Sequence, residues 1–183
     1  MKQKIVIITS KYLHPFVEKA FEDFKEDCTV TIADYTNFDH ITDIYRKYEK
    51  TADGFIFGSP VHYAAASGSI TSFLDRVFYS GGKHLQFKPA SVIASARRAG
   101  TTATLDQLTK YLTISNMPVV SSQYWNMVHG NTPEEVVKDL EGMQTMRVLG
   151  RNMAWLLKCI DLGKKNNINR PDLEDRETTN FIR

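Results

Sequence analysis

Residues 53–76 read DGFIFGSPVHYAAASGSITSFLDR, and this stretch decides the fold. Residues 54–57 form a short apolar run of aromatic and β-branched character, the composition of a strand buried on both faces. The run stops at Gly58-Ser59-Pro60, where a glycine frees the backbone angles and a proline fixes φ and removes a ladder donor. A polar loop of small residues follows over 61–69. Ile70, Phe73, Leu74 and Val77 then recur at helical spacing. The pattern predicts a strand, an open loop at its carboxyl end and a helix returning over the sheet. In open α/β sheets that loop is where ligands bind.

The same alternation extends in both directions. Residues 4–9 (KIVIIT) predict a first buried strand, and Pro15 suits the first turn of a helix whose apolar face is Val17, Ala20, Phe21 and Phe24. Residues 28–33 (CTVTIA) predict a second strand, and Ile41, Ile44, Tyr45 and Tyr48 a short second helix. Past the break at residues 80–83, residues 90–94 predict the fourth strand, and Leu105, Leu108, Leu112 and Ile114 mark the fourth helix. Residues 117–122 predict the fifth strand. Thr132-Pro133-Glu134-Glu135 carries a cap, a first-turn proline and amino-terminal acids, so it opens the last helical region. There Val136, Leu140, Met143, Met146, Leu149, Met153, Leu156, Leu157 and Ile160 form a broad stripe suited to core or oligomer contact, with Gly142 and Gly150 as points of division or bending. Five strands alternating with helices indicate a doubly wound parallel α/β sheet with helices on both faces.

Composition narrows the function. The chain of 183 residues suits one domain, and its net charge of +2, from 23 basic and 21 acidic residues, is too small to argue for a nucleic-acid surface. No apolar stretch is long enough to span a bilayer, and nothing at the amino terminus reads as a signal peptide. The two cysteines, Cys28 and Cys159, lie far apart with no CxxC or Cys/His cluster. The expectation is two packed free thiols in a reducing cytoplasm, with no metal site, iron–sulfur cluster or disulfide framework. Residues 169–183 are charged and aperiodic, so the chain divides into a domain over 1–168 and a tail or arm over 169–183, an arm being favoured by Phe181 and Ile182.

GSPVHYAAASGSITSFLDR resembles the flavin loop of the flavodoxin-like NAD(P)H-dependent FMN reductase family, with Gly58, Ser59, Pro60, Tyr63, Ser67, Phe73, Asp75 and Arg76 on the family pattern. His62 stands where an aromatic is frequent and Thr71 where a lysine is. The likeness continues through Lys88-Pro89, Arg97-Arg98-Ala99-Gly100-Thr101-Thr102 and Met117-Pro118-Val119-Val120, and covers most of residues 1–165. It implies a single-domain flavodoxin-like sheet of five parallel strands in the order 2-1-3-4-5, with the organising loop at the switch point. It implies FMN as cofactor, NADPH or NADH as donor, a small-molecule electron acceptor and a homodimer.

On that resemblance, Thr9, Ser10 and Lys11 fall in the phosphate loop. This segment has no glycine and is shorter than the family's, so an ordinary βα connection stands as the other reading. Ser59, Pro60, Val61, His62 and Tyr63 fall in the ring slot. Ser95, Arg97, Arg98, Gly100 and Thr101 fall on its second wall, where an arginine would stabilise reduced flavin or meet the nicotinamide cofactor's phosphate. Tyr124, Trp125 and Met127 either roof the ring, make a dimer contact or simply pack. Asp75 and Arg76 read as ion-pair or subunit-contact residues. No catalytic side chain is required, since the cofactor itself carries the hydride. The implied activity is a flavin-dependent NAD(P)H oxidoreductase. The alternative is a non-catalytic flavodoxin-like binding or electron-carrier protein with weakened FMN binding, although a carrier would normally be strongly acidic.

Overall fold

The computed structural model describes residues 2–22, 28–35, 47–48 and 50–181. Five strands form the sheet: β1 (Gln3–Thr9), β2 (Cys28–Asp34), β3 (Gly54–His62), β5 (Ala90–Ala96) and β6 (Met127–His129). All four pairings between them are parallel, in the order β2-β1-β3-β5-β6. A two-residue strand, β4 (Ala65–Ala66), folds back antiparallel on the end of β3. This is the predicted 2-1-3-4-5 arrangement, with β5 and β6 as its fourth and fifth parallel members.

The helices are α1 (His14–Ala20), α2 (Gly68–Gly81), α3 (Thr101–Ile114), α4 (Pro133–Val136) and α5 (Leu140–Lys165). Alternate residues of each strand point to opposite faces. Ile5, Ile7, Ile56, Ile93 and Val128 therefore pack on one side with Phe16 and Val17 of α1 and Met143, Met146, Leu149, Met153 and Leu157 of α5. Val6, Ile8, Phe55, Phe57, Val92 and Ala94 pack on the other with Ile70, Phe73, Leu74 and Val77 of α2 and Leu105, Leu108 and Leu112 of α3. The sheet is buried from both sides, which explains why its central strands read as continuous apolar runs.

The structure corrects four expectations. The fifth strand is not residues 117–122. There only an isolated bridge joins Val119 to Ala90, and the chain bulges away before β6 completes the edge. Ala90 N–H donates to Pro118 O and Val120 N–H to Ala90 O, so the edge is built in two pieces separated by residues 121–126. Ile114 is 82 % exposed, because it lies two residues beyond Leu112 and so about 200° round the helix. Leu140, counted in the apolar stripe, is exposed at the first turn of α5. Cys28 is buried but Cys159 is exposed, on the outer face of α5.

The last helical region divides between α4 and α5. Asp139 caps α5 by accepting from Gly142 N–H at 2.9 Å, and its other oxygen takes His129 N–H at 2.7 Å, tying α5 to β6. Gly142 and Gly150 both lie inside α5, which is continuous. The predicted second helix, apart from Tyr48, lies outside the described residues, as do Phe24 and Ile182. Residues 169–180 form no helix or strand and are exposed, and Phe181 is exposed too. Among the described residues no helix is long and apolar enough to cross a membrane.

Candidate functional site

At the carboxyl ends of β1, β3, β5 and β6 a cleft of about 400 Å³ opens between four connections. Tyr12, Leu13 and Phe16 come from the β1–α1 connection and Pro60, Val61 and His62 from the end of β3. Ser95, Ala96 and Arg97 come from the end of β5, and Gly130, Asn131, Thr132, Pro133 and Val136 from the segment after β6. The cleft lies across the point where the strand order reverses, the position at which doubly wound sheets take ligands. Its volume falls in the range of small-molecule pockets, about 300–1,000 Å³.

Its β3 wall is held by a hydroxyl staple. Ser59 is fully buried; its Oγ donates to Pro60 O at 2.7 Å and accepts from Ser67 N–H at 3.0 Å. Ser67 in turn caps α2 through Ile70 N–H and shares a hydrogen bond of 3.1 Å with the Tyr35 phenol. Ser59 thus shapes the loop from behind rather than facing the cleft. Tyr35, at the end of β2, is 1 % exposed, and burial pushes its phenol above its usual pKa while the neighbouring Ser67, Ser59 and Ser10 hydroxyls pull it down. Tyr63 stands at the loop tip, fully exposed and at φ 62, a conformation a non-glycine residue adopts only when its surroundings impose it.

Thr9 and Ser10 are 0 % and 2 % exposed, and neither hydroxyl has a hydrogen-bond partner among the described residues. Thr9 Oγ1 faces β3, where a Cβ built on Gly58 would meet it at 2.9 Å. Ser10 lies beside the Tyr35 phenol without forming a bond of normal geometry. Lys11 is exposed with its ammonium 5.3 Å from the centre of its neighbour's ring, Tyr12. None of the three expected phosphate-loop side chains lines the cleft.

On the second wall, Ser95 is 9 % exposed at the end of β5 and Arg97 is exposed at the cleft edge. Arg98 is exposed and does not line the cleft, and Thr101 is buried with its Oγ1 3.2 Å from Met127 Sδ. Gly100 has φ 93, and a Cβ there would come within 2.7 Å of Val61 Cγ1. Only a residue without a side chain lets the two cleft-forming loops close on each other.

The structure therefore gathers Pro60, Val61, His62, Ser95 and Arg97 in one cleft. It places Thr9, Ser10 and Ser59 behind it, Lys11, Tyr63 and Arg98 outside it, and Gly100 and Thr101 in its support. Sequence reasoning missed the apolar walls from Tyr12, Leu13, Phe16 and Val136, and the segment 130–133. The helix cap at Thr132-Pro133 is legible in the sequence, but its place at the sheet end depends on the split fifth strand. Tyr124 and Trp125 are exposed, 5.2 Å apart ring to ring, and border a separate hollow with His129, Asp139 and Glu141. Asp75 accepts a hydrogen bond of 2.5 Å from Tyr111 on α3.

A larger hollow, about 750 Å³, lies at the opposite end of the sheet between Phe87, Lys88, Pro118 and the end of α5. Volume alone would favour it, but it is remote from the strand carboxyl ends and draws on none of the loops around the switch point. Among the described residues no group of three or more histidines, cysteines or acids could hold a metal ion.

Comparison with known proteins agrees with this architecture. The chain is 30 % identical over 130 residues, 67 % of each chain, to an iron–sulfur flavoprotein of Methanocaldococcus jannaschii. A flavodoxin-fold WrbA-like protein from Agrobacterium tumefaciens superposes with a TM-score of 0.66 at 18 % identity, covering 87 % of this chain and 99 % of that one. A flavodoxin from the domain Archaea gives 0.63 at 14 % identity, with 85 % and 99 % covered. The family model for NADPH-dependent FMN reductase matches residues 11–132, which contain the ends of β3, β5 and β6 and all of the cleft positions except Pro133 and Val136. Sheet order, the cleft at the switch point and this match agree, and the chain belongs to the NADPH-dependent FMN reductase family.

Proposed function

We propose that the chain is a flavin-dependent oxidoreductase that takes a hydride from NADPH or NADH and delivers it to a small acceptor. The observation that carries this is the cleft between Pro60–Val61–His62 and Ser95–Ala96–Arg97 at the strand carboxyl ends. The residues fit an isoalloxazine ring: apolar Leu13, Phe16, Pro60, Val61 and Val136 share the walls with polar His62, Ser95, Arg97 and Asn131. A bound flavin supplies two-electron chemistry at N5.

The chain's own residues then have physical tasks. Tyr12, Leu13, Phe16 and Val136 exclude water from one side, which strengthens every charge interaction inside. Arg97 brings positive charge to the edge, where it would favour an anionic reduced ring or pair with the donor's phosphate. The Ser59–Ser67 staple fixes the β3 loop so that docking the two reactants costs little reorganisation. Two exposed rims, at His62 and Arg97, leave a side open for a donor that docks in passing. Function as a homodimer in the cytoplasm accompanies this proposal and fits its family.

The test is anaerobic. Purified protein loaded with FMN is mixed with NADPH or NADH and followed at the flavin absorbance. Bleaching that saturates with nicotinamide concentration supports a reductase. Saturable FMN binding without bleaching by either donor would leave the non-catalytic binding protein, the reading favoured by the unusual β1–α1 connection.

A further inference from the structure

Building on the flavin reading, we propose that the cleft recognises the flavin's ring and sugar-alcohol chain but not its terminal phosphate, so that riboflavin and FMN bind alike. Phosphate groups are normally held by free N–H groups at a helix amino terminus, aided by side-chain cations. Two helices begin at the border of this cleft, and in each of them part of that donor set is already bound or missing.

The first is α1. Ser10 O accepts from both Leu13 N–H (3.0 Å) and His14 N–H (3.2 Å), and Pro15 has no N–H at all. The helix is only seven residues long, so its dipole is short as well. The two hydroxyls next to it, Thr9 and Ser10, are turned into the protein. Over residues 1–53 no glycine is present to let the backbone curl around an anion.

The second is α4, of four residues. Its cap Thr132 takes Glu135 N–H, and Pro133 again removes a donor. The N–H of Asn131, a cleft residue, is already bound by the Glu135 carboxylate at 2.7 Å, which puts negative charge where a phosphate would approach. The remaining neighbour, α3, starts at Thr101 behind Val61 and does not line the cleft. Among the cleft-lining residues Arg97 carries the one permanent positive charge, and it is exposed to screening by salt. A flavin phosphate would therefore stay in solvent.

The consequence is quantitative. Two or more charge-assisted bonds to a phosphate would separate FMN from riboflavin by a factor of about 100 or more. Without them the ratio of dissociation constants stays within about tenfold, since one exposed cation contributes little. The full chain is titrated with riboflavin and with FMN, using quenching or anisotropy of the shared ring fluorescence, at low salt and at about 1 M, where screening reaches about 3 Å. A parallel series adds inorganic phosphate to the FMN complex. The expected result is two dissociation constants within about tenfold that converge further at high salt, and no displacement by phosphate. FMN binding tighter than riboflavin by about 100-fold, or release of FMN by inorganic phosphate, would overturn the inference while leaving the flavin reading intact. Binding of neither flavin would instead bring down the flavin reading and the inference with it.

Discussion

Replacing Gly100 with alanine tests whether the two cleft loops truly lock together. At φ 93 an L residue adopts an unfavourable left-handed backbone, costing about 1–2 kcal/mol. The new Cβ also lies 2.7 Å from Val61 Cγ1, closer than real contacts allow, with Ala64 O at 3.6 Å behind it. Valine is stiff at χ1, so Val61 must move with its backbone, and overpacking of this kind costs about 1–3 kcal/mol. Together they predict a loss of about 2–5 kcal/mol, a large share of a domain stability of about 5–15 kcal/mol. Urea unfolding reads this as a fall of about 1–2 M in midpoint. Flavin affinity should fall as well, because Val61 is displaced at the cleft wall. The double variant V61A/G100A separates the two causes. It removes the clash but not the backbone strain, so relative to V61A the glycine change should cost only about 1–2 kcal/mol, a coupling of about 1 kcal/mol or more. If G100A unfolds within about 0.5 kcal/mol of the parent, the contact between the loops is not as described.

Other consequences can be measured independently. Arg97→Ala should slow reduction of bound flavin by a nicotinamide donor about tenfold or more, read by anaerobic stopped flow, with the secondary structure unchanged by circular dichroism. Trp125→Ala should leave flavin affinity within about twofold, since that side chain borders a different hollow; a loss of about tenfold would place the ring under the aromatic pair instead. Burial and the Asp75 carboxylate raise the Tyr111 phenol to about 12. A raised folded-state value stabilises the fold below pH 10 and is lost as pH rises from 10 through about 12, so the parent's unfolding midpoint should drop more steeply across that window than that of Tyr111→Phe. Equal slopes would show that the Tyr111–Asp75 contact carries no linkage.

Much of the fold is legible because the central strands are buried on both faces and their helices follow a clear 3.6-residue period. Ile70, Phe73, Leu74 and Val77 all reach the core as their spacing predicts. The edge is harder to read. Met117-Pro118-Val119-Val120 has the composition of a strand, but Pro118 and Val119 are exposed and only one bridge forms there. The true edge strand, three residues long, is too short to carry a periodic signal. The site shows the same division. Strand-end loops locate it, because topology fixes where carboxyl ends meet. Which side chains face the cleft is a tertiary matter. Thr9, Ser10 and Ser59 carry the hydroxyls expected at a ligand, but the strand pleat and the nearby Tyr35 phenol turn them inward. Tyr35 itself has no local signal: it matters because the ends of β1, β2 and β3 converge on it.

The central claim is that a flavin ring occupies the cleft at the switch point. A crystal structure of the protein soaked with riboflavin or FMN decides it. Ring density between Pro60–Val61–His62 and Ser95–Ala96–Arg97 is the result this account predicts. Density in the hollow beside Phe87 and Cys159, or against Tyr124 and Trp125, would contradict it.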